Sequence, residues 1–434
     1  MNKEQLLSLQ PALADLLSAF RNCFRREKTF AYWQTYVAGL ICDLKRKSIE
    51  PIALAAEVPV RTLQEVLADF KWDHHRAEDQ LHRLVVDRHG CEEAIGVLDA
   101  SGHAKQGEQT PGVQRQWCGQ TGKVDNCIVG QHLLYTDDHP DNPFSCMLCS
   151  DLFLPKSWDE DRERCRRARI PDELVHRPKW RIAVEQLERA IGNGVRFSYV
   201  TFDEDYGQVP ALWFELDRLG LRAIGEVRKN FQCWPTPPTW QSLRSEYAPK
   251  RVDNLITHSL VFRKQKWKKI RLKKATRAST TWKYKAARVQ LPNTPIGKSV
   301  PTDRRYWLIV AESLTTGEVK YFVSNAAENA NVRKLLRVAF SRWRIEKWFE
   351  RGKQEAGFGA FEIRNYTSLM RHWLSSRIAM YFLSSQTQRL RGEKPADHAG
   401  AGRRRDEPAG REDLADVAAI VRGPASQLRL LPVA

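Results

Sequence analysis

Two short stretches decide how the chain folds, AIGVLDASGH over residues 94–103 and YVTFDEDYG over residues 199–207. Each passes through a run of apolar residues and then reaches an acid, Asp99 in the first stretch and Asp203 in the second. Short apolar runs bounded by small and polar residues are typical of buried strands. Because ligand sites of α/β sheets form at the carboxyl ends of the strands, we expect the two carboxylates to converge at one edge of a sheet.

The pattern on either side of these stretches predicts an α/β fold class. Between residues 92 and 227 it gives the element order βββαβαβ, which indicates a mixed sheet covered by helices. The predicted strands cover residues 94–98, 127–135, 146–154, 196–202 and 222–227, and the predicted helices cover residues 180–191 and 211–219. Asp99 and Asp203 are each predicted to end a strand.

Residues 1–90 are predicted to form a helical DNA-binding region, because their leucines recur at helical spacing. Residues 52–57 and 61–70, joined by a turn at Pro59, resemble a helix-turn-helix whose second helix would present Arg61 and Gln64 to DNA. Short helix pairs are also common in bundles that bind nothing, so both interpretations stay open.

The stretch from Arg263 to Arg288 contains no Asp or Glu and lies in a predicted basic β-rich insertion over residues 234–325. Such a run is either a solvated pair of charged strands or a surface that follows DNA phosphates, and we favour the second interpretation. Trp267 and Trp282 would then stack on an unpaired base or pack a small core. The predicted phosphate contacts are Lys264, Lys266, Lys268 and Lys269.

A third acid, Glu346, lies in a predicted long helix over residues 332–355, with Arg342 four residues before it and Lys353 seven residues after it. These offsets place all three side chains on nearly the same helix face. A second helix is predicted over residues 368–383. The division of the chain is therefore a helical region over 1–90, a core in two parts over 91–233 and 326–390, the insertion over 234–325, and an Arg/Gly/Pro-rich tail over 391–434.

Composition indicates which class of partner the protein binds and in which compartment we expect it. The net charge of +18, with an ordinary hydrophobic fraction of 42%, argues against global disorder and favours a polyanionic partner. Nine cysteines, an odd number, argue against a disulfide framework and indicate a reducing cytoplasm. The pair Cys146 and Cys149 stands alone, and we interpret it as two buried thiols. With no run of about 18 apolar residues, we expect a soluble protein that is not exported.

Three converging carboxylates repel one another unless hard divalent cations lie between them, and Mg²⁺ prefers oxygen ligands completed by phosphate. Two such ions can stabilise the attacking and leaving oxygens of a phosphodiester. Each acid also has an ordinary interpretation, because a strand-ending Asp is often a turn cap and a helical Glu often pairs with a neighbouring cation. The conjunction of all three with a basic segment favours the metal site.

At these residues the chain resembles the DDE transposases of bacterial insertion sequences, in the group with a β insertion in the nuclease domain. Arg342, Glu346 and Lys353 fit the Arg, Glu and Lys of that group's Tyr-x2-Arg-x3-Glu-x6-Lys signature, whereas the Tyr position is Ala339 here. The segments that also resemble the family are Val97–Asp99, Asp203–Gly207, Gly122–Cys127 and Arg46–Pro51.

The resemblance implies a ribonuclease-H-like mixed sheet with flanking helices, interrupted by the β-rich insertion and preceded by the all-helical region. It implies cut-and-paste transposition of double-stranded DNA, with Asp99, Asp203 and Glu346 holding two Mg²⁺ ions for which Mn²⁺ would substitute. It also implies a homodimer on DNA in the bacterial cytoplasm, associated with the nucleoid. Two alternatives stay open, a catalytically inactive DNA-binding protein derived from a transposase and a nuclease that cuts without joining.

Overall fold

The computed structural model describes residues 3–235, 248–273, 279–293 and 300–392. The strands are β1 Ile95–Ala104, β2 Gln114–Cys118, β3 Lys123–Thr136, β4 Ser145–Leu152, β5 Tyr199–Phe202, β6 Ala223–Val227, β7 Gln232–Cys233, β8 Lys250–Arg251, β9 Lys268–Lys273, β10 Ser279–Asn293, β11 Val300–Ser313 and β12 Val319–Ser324. Ten of them form one mixed sheet in the order β2-β3-β1-β5-β6-β12-β11-β10-β9, with β4 paired to β3, while β7 and β8 pair separately.

Helices flank this sheet. They are α1 Lys3–Ser18, α2 Glu27–Ile41, α3 Ile49–Ala55, α4 Val60–Ala68, α5 His74–His89, α6 Lys156–Asp159, α7 Arg162–Arg167, α8 Lys179–Gly192, α9 Glu204–Gly207, α10 Pro210–Arg218, α11 Val252–His258, α12 Leu260–Arg263, α13 Val332–Phe340, α14 Trp343–Glu355 and α15 Tyr366–Gly392. The α/β class with a large mixed sheet and flanking helices is therefore confirmed. None of the helices in the described part of the chain is long and apolar enough to cross a membrane.

The first half of the sheet corrects two details of the sequence prediction. β1 does not stop at Asp99 but continues to Ala104, because β3 pairs with it along all ten residues. The strand β2 was not predicted, and it pairs with the start of β3 to form the edge of the sheet. Its sequence, QRQWC, alternates polar and apolar residues only weakly, so the pattern gave no clear strand signal.

The segment predicted as an insertion extends the same sheet. Its strand β12 pairs antiparallel with β6, and the strands β11, β10 and β9 then follow in that order towards the edge. It is not only β-rich, because α11 and α12 precede β9. β11 and β12 are joined as an antiparallel hairpin. Residues 236–247, 274–278 and 294–299 of this segment, and all but the first two residues of the predicted tail over 391–434, lie outside the described residues.

The long helix predicted over residues 332–355 is two helices, α13 and α14. The chain turns at Ser341, whose hydroxyl donates a hydrogen bond to the Val338 carbonyl 2.7 Å away. The backbone N–H of Arg344 then bonds to the Ser341 carbonyl, three residues back instead of four. A serine hydroxyl that competes for backbone carbonyls and a tight three-residue bond both interrupt a regular helix. Arg342 therefore lies at the break and Glu346 in the first turn of α14.

The N-terminal helices pack on α15, which is buried along most of its 27 residues. The indole N–H of Trp33 donates to Ser375 (3.1 Å), and the Tyr36 hydroxyl bonds to His372 (2.8 Å). The guanidinium of Arg371, from α15, donates to backbone carbonyls of α4 and of the segment after it. These bonds fix the helical region against the sheet.

Lys47 joins the N-terminal helices to the end of α14. Its side chain is 6% exposed, and its ammonium group donates to the carbonyls of Leu40 (2.9 Å) and Glu355 (2.7 Å), with Ile41 at 3.4 Å. These are the last carbonyls of α2 and α14, where the helix dipole favours a cation. Gly357 follows with φ +61°, and a Cβ there would lie 2.7 Å from that of Lys47, so only glycine fits.

We expect Lys47→Met to lower the free energy of unfolding by about 3 kcal/mol, because it leaves buried carbonyls without their donor. Urea denaturation measures this loss. Lys45→Met is the matched control, since Lys45 is exposed two residues away and its replacement should change stability by less than about 0.5 kcal/mol. Equal effects of the two substitutions would contradict the role assigned to Lys47.

Candidate active site

The sheet register places Asp99 and Asp203 level with each other on neighbouring strands. β1 and β5 run parallel, and their last paired residues are Val97 and Thr201. Each acid therefore lies two residues beyond the last pair, on strands about 4.8 Å apart. β5 ends at Phe202 as predicted, and the Asp203 carboxylate caps α9 by accepting from the backbone N–H of Asp205 at 3.0 Å.

Arg342 links two of the three acids. One of its terminal nitrogens (Nη1) lies 3.4 Å from Oδ2 of Asp99, and the other (Nη2) lies 2.6 Å from Oε1 of Glu346. The side chain of Asp99 is only 14% exposed, whereas that of Glu346 is 55% exposed. Arg342 thus bridges two of the three acids predicted from sequence, and the register of β1 with β5 places the third, Asp203, beside Asp99.

Burial and mutual repulsion raise the pKa values of both aspartates. Burial, followed by the charge of Asp203, raises the pKa of Asp99 to about 7, against a partial opposing effect of Arg342. Burial, followed by the charge of Asp205, raises the pKa of Asp203 to about 6. Carboxylates whose ionised form is this unfavourable gain much from a cation placed among them.

The helix that carries Glu346 is fixed at both ends. At its start, Arg344 donates to Asp138 in the turn between β3 and β4, at 2.9 Å. At its end, Lys47 binds the Glu355 carbonyl. Sequence reasoning missed these contacts, because each joins residues far apart in the chain.

The sequence analysis also did not identify a role for the residues that lie behind the acids. The Tyr206 hydroxyl donates to the side-chain carbonyl of Gln131, and burial together with the charges of Asp99 and Asp203 raises the pKa of Tyr206 well above its usual value. At Gly207 a Cβ would lie 1.9 Å from the Glu226 carbonyl oxygen, so the chain passes close to β6 there. The resemblance of the segment Asp203–Gly207 to the family had pointed to this position, but it did not explain why a glycine is needed there.

The donors around Arg342 suit a divalent metal. All three acids offer only carboxylate oxygens, which hard cations such as Mg²⁺ and Mn²⁺ prefer. Asp205, the nearest alternative second acid, instead pairs with Arg228 and is 61% exposed. The residues present therefore fit a metal held by Asp99, Asp203 and Glu346 better than one held by Asp205.

A second group of potential ligands, Glu78, His82 and Cys149, lies buried within 4.8 Å. Its ligand atoms are already occupied, because the Glu78 carboxylate pairs with Arg189 and Arg377. The ring nitrogens of His82 bond to the Leu148 carbonyl and to the Asn193 side chain. Burial raises the pKa of Cys149 well above its usual value. We interpret this group as a structural network.

The predicted buried thiols are present. Cys146 and Cys149 are fully inaccessible, and burial raises the pKa of Cys146 to about 12. All nine cysteines are free, in agreement with the absence of a disulfide framework expected from their odd number.

The residues predicted to bind DNA are separated in the structure. Arg61 projects from α4 with its side chain 84% exposed, although it pairs with Glu65. Lys353 lies on α14 two turns after Glu346, half-buried, and burial lowers its pKa. The predicted phosphate contacts are all exposed, in β9 and in the segment between α12 and β9: Lys264, Lys266, Lys268 and Lys269.

Of the two tryptophans in the basic segment, Trp282 is only 5% exposed, and its ring packs against Phe340 at a centroid distance of 4.7 Å. The prediction that it stacks on a base is therefore wrong for this structure, because the ring is part of the core. Trp267 is 37% exposed, with the ammonium groups of Lys283 and Lys285 each 4.9 Å from its ring centre. It remains accessible at the surface.

Comparison with known proteins assigns the family. The family model described as DDE superfamily endonuclease matches residues 19–291, more than half of the chain, and the chain belongs to this family. The match contains Asp99 and Asp203 but ends before Glu346. The assignment of Glu346 as the third acid therefore depends on its contact with Arg342.

A curated relative narrows the resemblance. Over 250 residues the chain is 23% identical to a protein named as a probable transposase for insertion sequence element IS701 from Microchaete diplosiphon. The aligned part covers 56% of this chain and 62% of the relative, so the chain spans less than two thirds of that relative's length. The resemblance to insertion-sequence transposases that the sequence predicted is therefore confirmed.

A solved structure is similar only at a distance. It is the piggyBac transposase synaptic complex with hairpin DNA, 12% identical, with a TM-score of 0.38 over 94% of this chain and 82% of that chain. We assign no residue from this likeness.

Without metal, we expect Asp99→Asn to stabilise the chain at pH 8, on the order of 2 kcal/mol. The folded-state pKa of Asp99, about 7, exceeds its ordinary value of 3.8, so its stabilising effect is complete below pH 3.8 and is lost as pH rises through 7. The gain from Asn should therefore shrink as pH falls from 8 towards 4. Denaturation in chelator at several pH values measures it, and Asp205→Asn at the exposed position is the control. A gain that does not vary with pH would show that the raised pKa of Asp99 is not its cause.

Proposed function

We propose that the chain is an insertion-sequence transposase that cuts phosphodiester bonds at the ends of its element and joins the 3′ hydroxyl to target DNA. The observation that carries the proposal is that Arg342 bridges Asp99 of β1 and Glu346 of α14. The third acid, Asp203, lies level with Asp99 directly after the neighbouring strand β5. Membership of the DDE superfamily endonucleases supports it, and so does the relative's name.

In this proposal Asp99, Asp203 and Glu346 hold two divalent ions, Mg²⁺ with Mn²⁺ as a substitute. The ions, when bound, would supply activation of water and stabilisation of the leaving oxygen. Asp203 keeps its orientation because the N–H groups at the start of α9 fix one of its oxygens. Asp99 is oriented likewise by the N–H of Ala100, at 2.7 Å. The exposed Glu346 can adjust as DNA enters the site.

We extend the proposal to the finer architecture. The sheet from β1 to β6 with α13 to α15 would be a ribonuclease-H-like core over 91–233 and 326–390, with 234–325 as a DNA-tracking insertion and 1–90 as a helical DNA-binding region. The antiparallel β1, β3 and β4 beside the parallel β5 and β6 support this division. The functional unit would be a homodimer on double-stranded DNA, in a bacterial cytoplasm and associated with the nucleoid.

Asp99→Asn, Asp203→Asn and Glu346→Gln should each abolish cleavage, about a thousandfold or more, while DNA affinity changes little, because an amide cannot replace a carboxylate on a hard cation. Cleavage of a duplex carrying the element end, in Mg²⁺ and then in chelator, measures the loss. Asp205→Asn is the matched control and should keep activity, since Asp205 pairs with Arg228 outside the cluster.

Two outcomes of the same assay separate the alternatives. Cut ends that never join target DNA would indicate a nuclease that cuts without joining. DNA binding without cleavage under any metal would indicate a catalytically inactive protein.

We expect the basic segment to contribute a salt-dependent, sequence-independent part of DNA affinity. Lys264, Lys266, Lys268 and Lys269 are all exposed, but the neighbours Lys268 and Lys269 in β9 point to opposite faces of the sheet, so up to three can reach one duplex. Replacing all four by Ala should reduce the slope of log affinity against log salt by up to about three units.

Fluorescence anisotropy with specific and random duplexes measures the slope. The matched control replaces four exposed cationic residues outside both proposed DNA-binding segments: Lys156, Arg166, Arg167 and Lys229. An unchanged slope in the first variant, or an equal fall in both, would refute a specific role for the segment.

A further inference from the structure

Arg342 lies between Asp99 and Glu346, in the space that a cation bound by both acids would also have to occupy. Its two terminal nitrogens are divided between the two carboxylates, one to each, at 3.4 and 2.6 Å. The acids raise the pKa of Arg342 despite its burial, so the group stays charged. In the chain without metal, the charge of the acid cluster is thus already partly compensated by one of the chain's own residues.

A divalent ion bound by Asp99 and Glu346 would meet this guanidinium at close range. Two like charges beside the same carboxylates repel, and each carboxylate oxygen that bonds to Arg342 is withdrawn from the ion. The hydrogen bonds of Arg342 therefore have to be released before both acids can bind metal. Arg342 lies at the break between α13 and α14, outside a regular helix, where its side chain can turn without disturbing helical bonds.

We propose that Arg342 is a resident counter-cation of the acid cluster, which holds the acids in place before metal binds and leaves them when it does. This inference rests on the proposed function, because it needs the acids to bind metal. Arg342 is then a positioning residue in the metal-free chain. Once released, its planar group with five N–H donors suits a DNA phosphate, so DNA binding and metal binding reinforce each other.

The test is the affinity of the full chain for Mn²⁺ in the absence of DNA, measured from the free Mn²⁺ signal in electron paramagnetic resonance. Arg342→Gln should bind Mn²⁺ about tenfold more tightly than the parent, because the competing hydrogen bonds of the guanidinium are gone. Lys347→Gln is the matched control. It removes a positive charge one residue away from Glu346, but Lys347 pairs with the exposed Glu350 and does not touch the acids. Its Mn²⁺ affinity should stay within about twofold of the parent.

Unchanged or weaker Mn²⁺ binding by folded Arg342→Gln, or an equal gain in Lys347→Gln, would overturn the inference. A crystal structure of the parent chain soaked in Mn²⁺ gives a second test that needs no variant. The inference expects the guanidinium to have left both Asp99 and Glu346, and Arg342 still bonded to both beside a bound ion would refute it. Failure of the parent itself to bind Mn²⁺, with no change on Asp99→Asn, would instead refute the proposed function.

Discussion

Two carboxylates buried side by side, just beyond the parallel pairing of β1 with β5, impose the constraint on which the rest of the structure depends. Asp99 and Asp203 cannot move apart, because the pairing of β1 with β5 sets their separation. Their charges repel, and burial strengthens that repulsion. A fold that keeps them together has to supply compensation, which comes from backbone N–H groups and from the guanidinium of Arg342.

The third acid comes from a helix, and its position depends on how that helix is held. α14 is fastened at its start to the β3–β4 turn through Arg344 and at its end to α2 through Lys47. The N-terminal helices in turn pack on α15. A region predicted from sequence only as a DNA-binding appendage thus also takes part in placing Glu346.

The sequence was informative where the signal is local and less so where it depends on pairing. The β5 stretch and the helix near residue 180 each carry their own pattern, and both are present. The length of β1 depends on β3, and β2 exists only through pairing, so neither could be seen in one strand's residues. The break at Ser341 was hidden because the apolar period continues through it. Trp282 was misread because composition shows a ring among cations but not the Phe340 ring behind it.

The candidate site is negatively charged, whereas the chain as a whole is positively charged. These two charges act on a phosphate over different distances. A net charge of +18 attracts DNA from beyond contact, but at physiological salt this attraction fades within about 8 Å. Inside that distance a phosphate meets the three acids, which would repel it. Phosphate can therefore approach only if cations stand in front of the acids. In the chain without metal the cation in that position is Arg342, and the proposed reaction at the acids would need metal there instead. In the proposed function, DNA that is drawn in by the long-range attraction would therefore bind at the acids only when metal replaces Arg342.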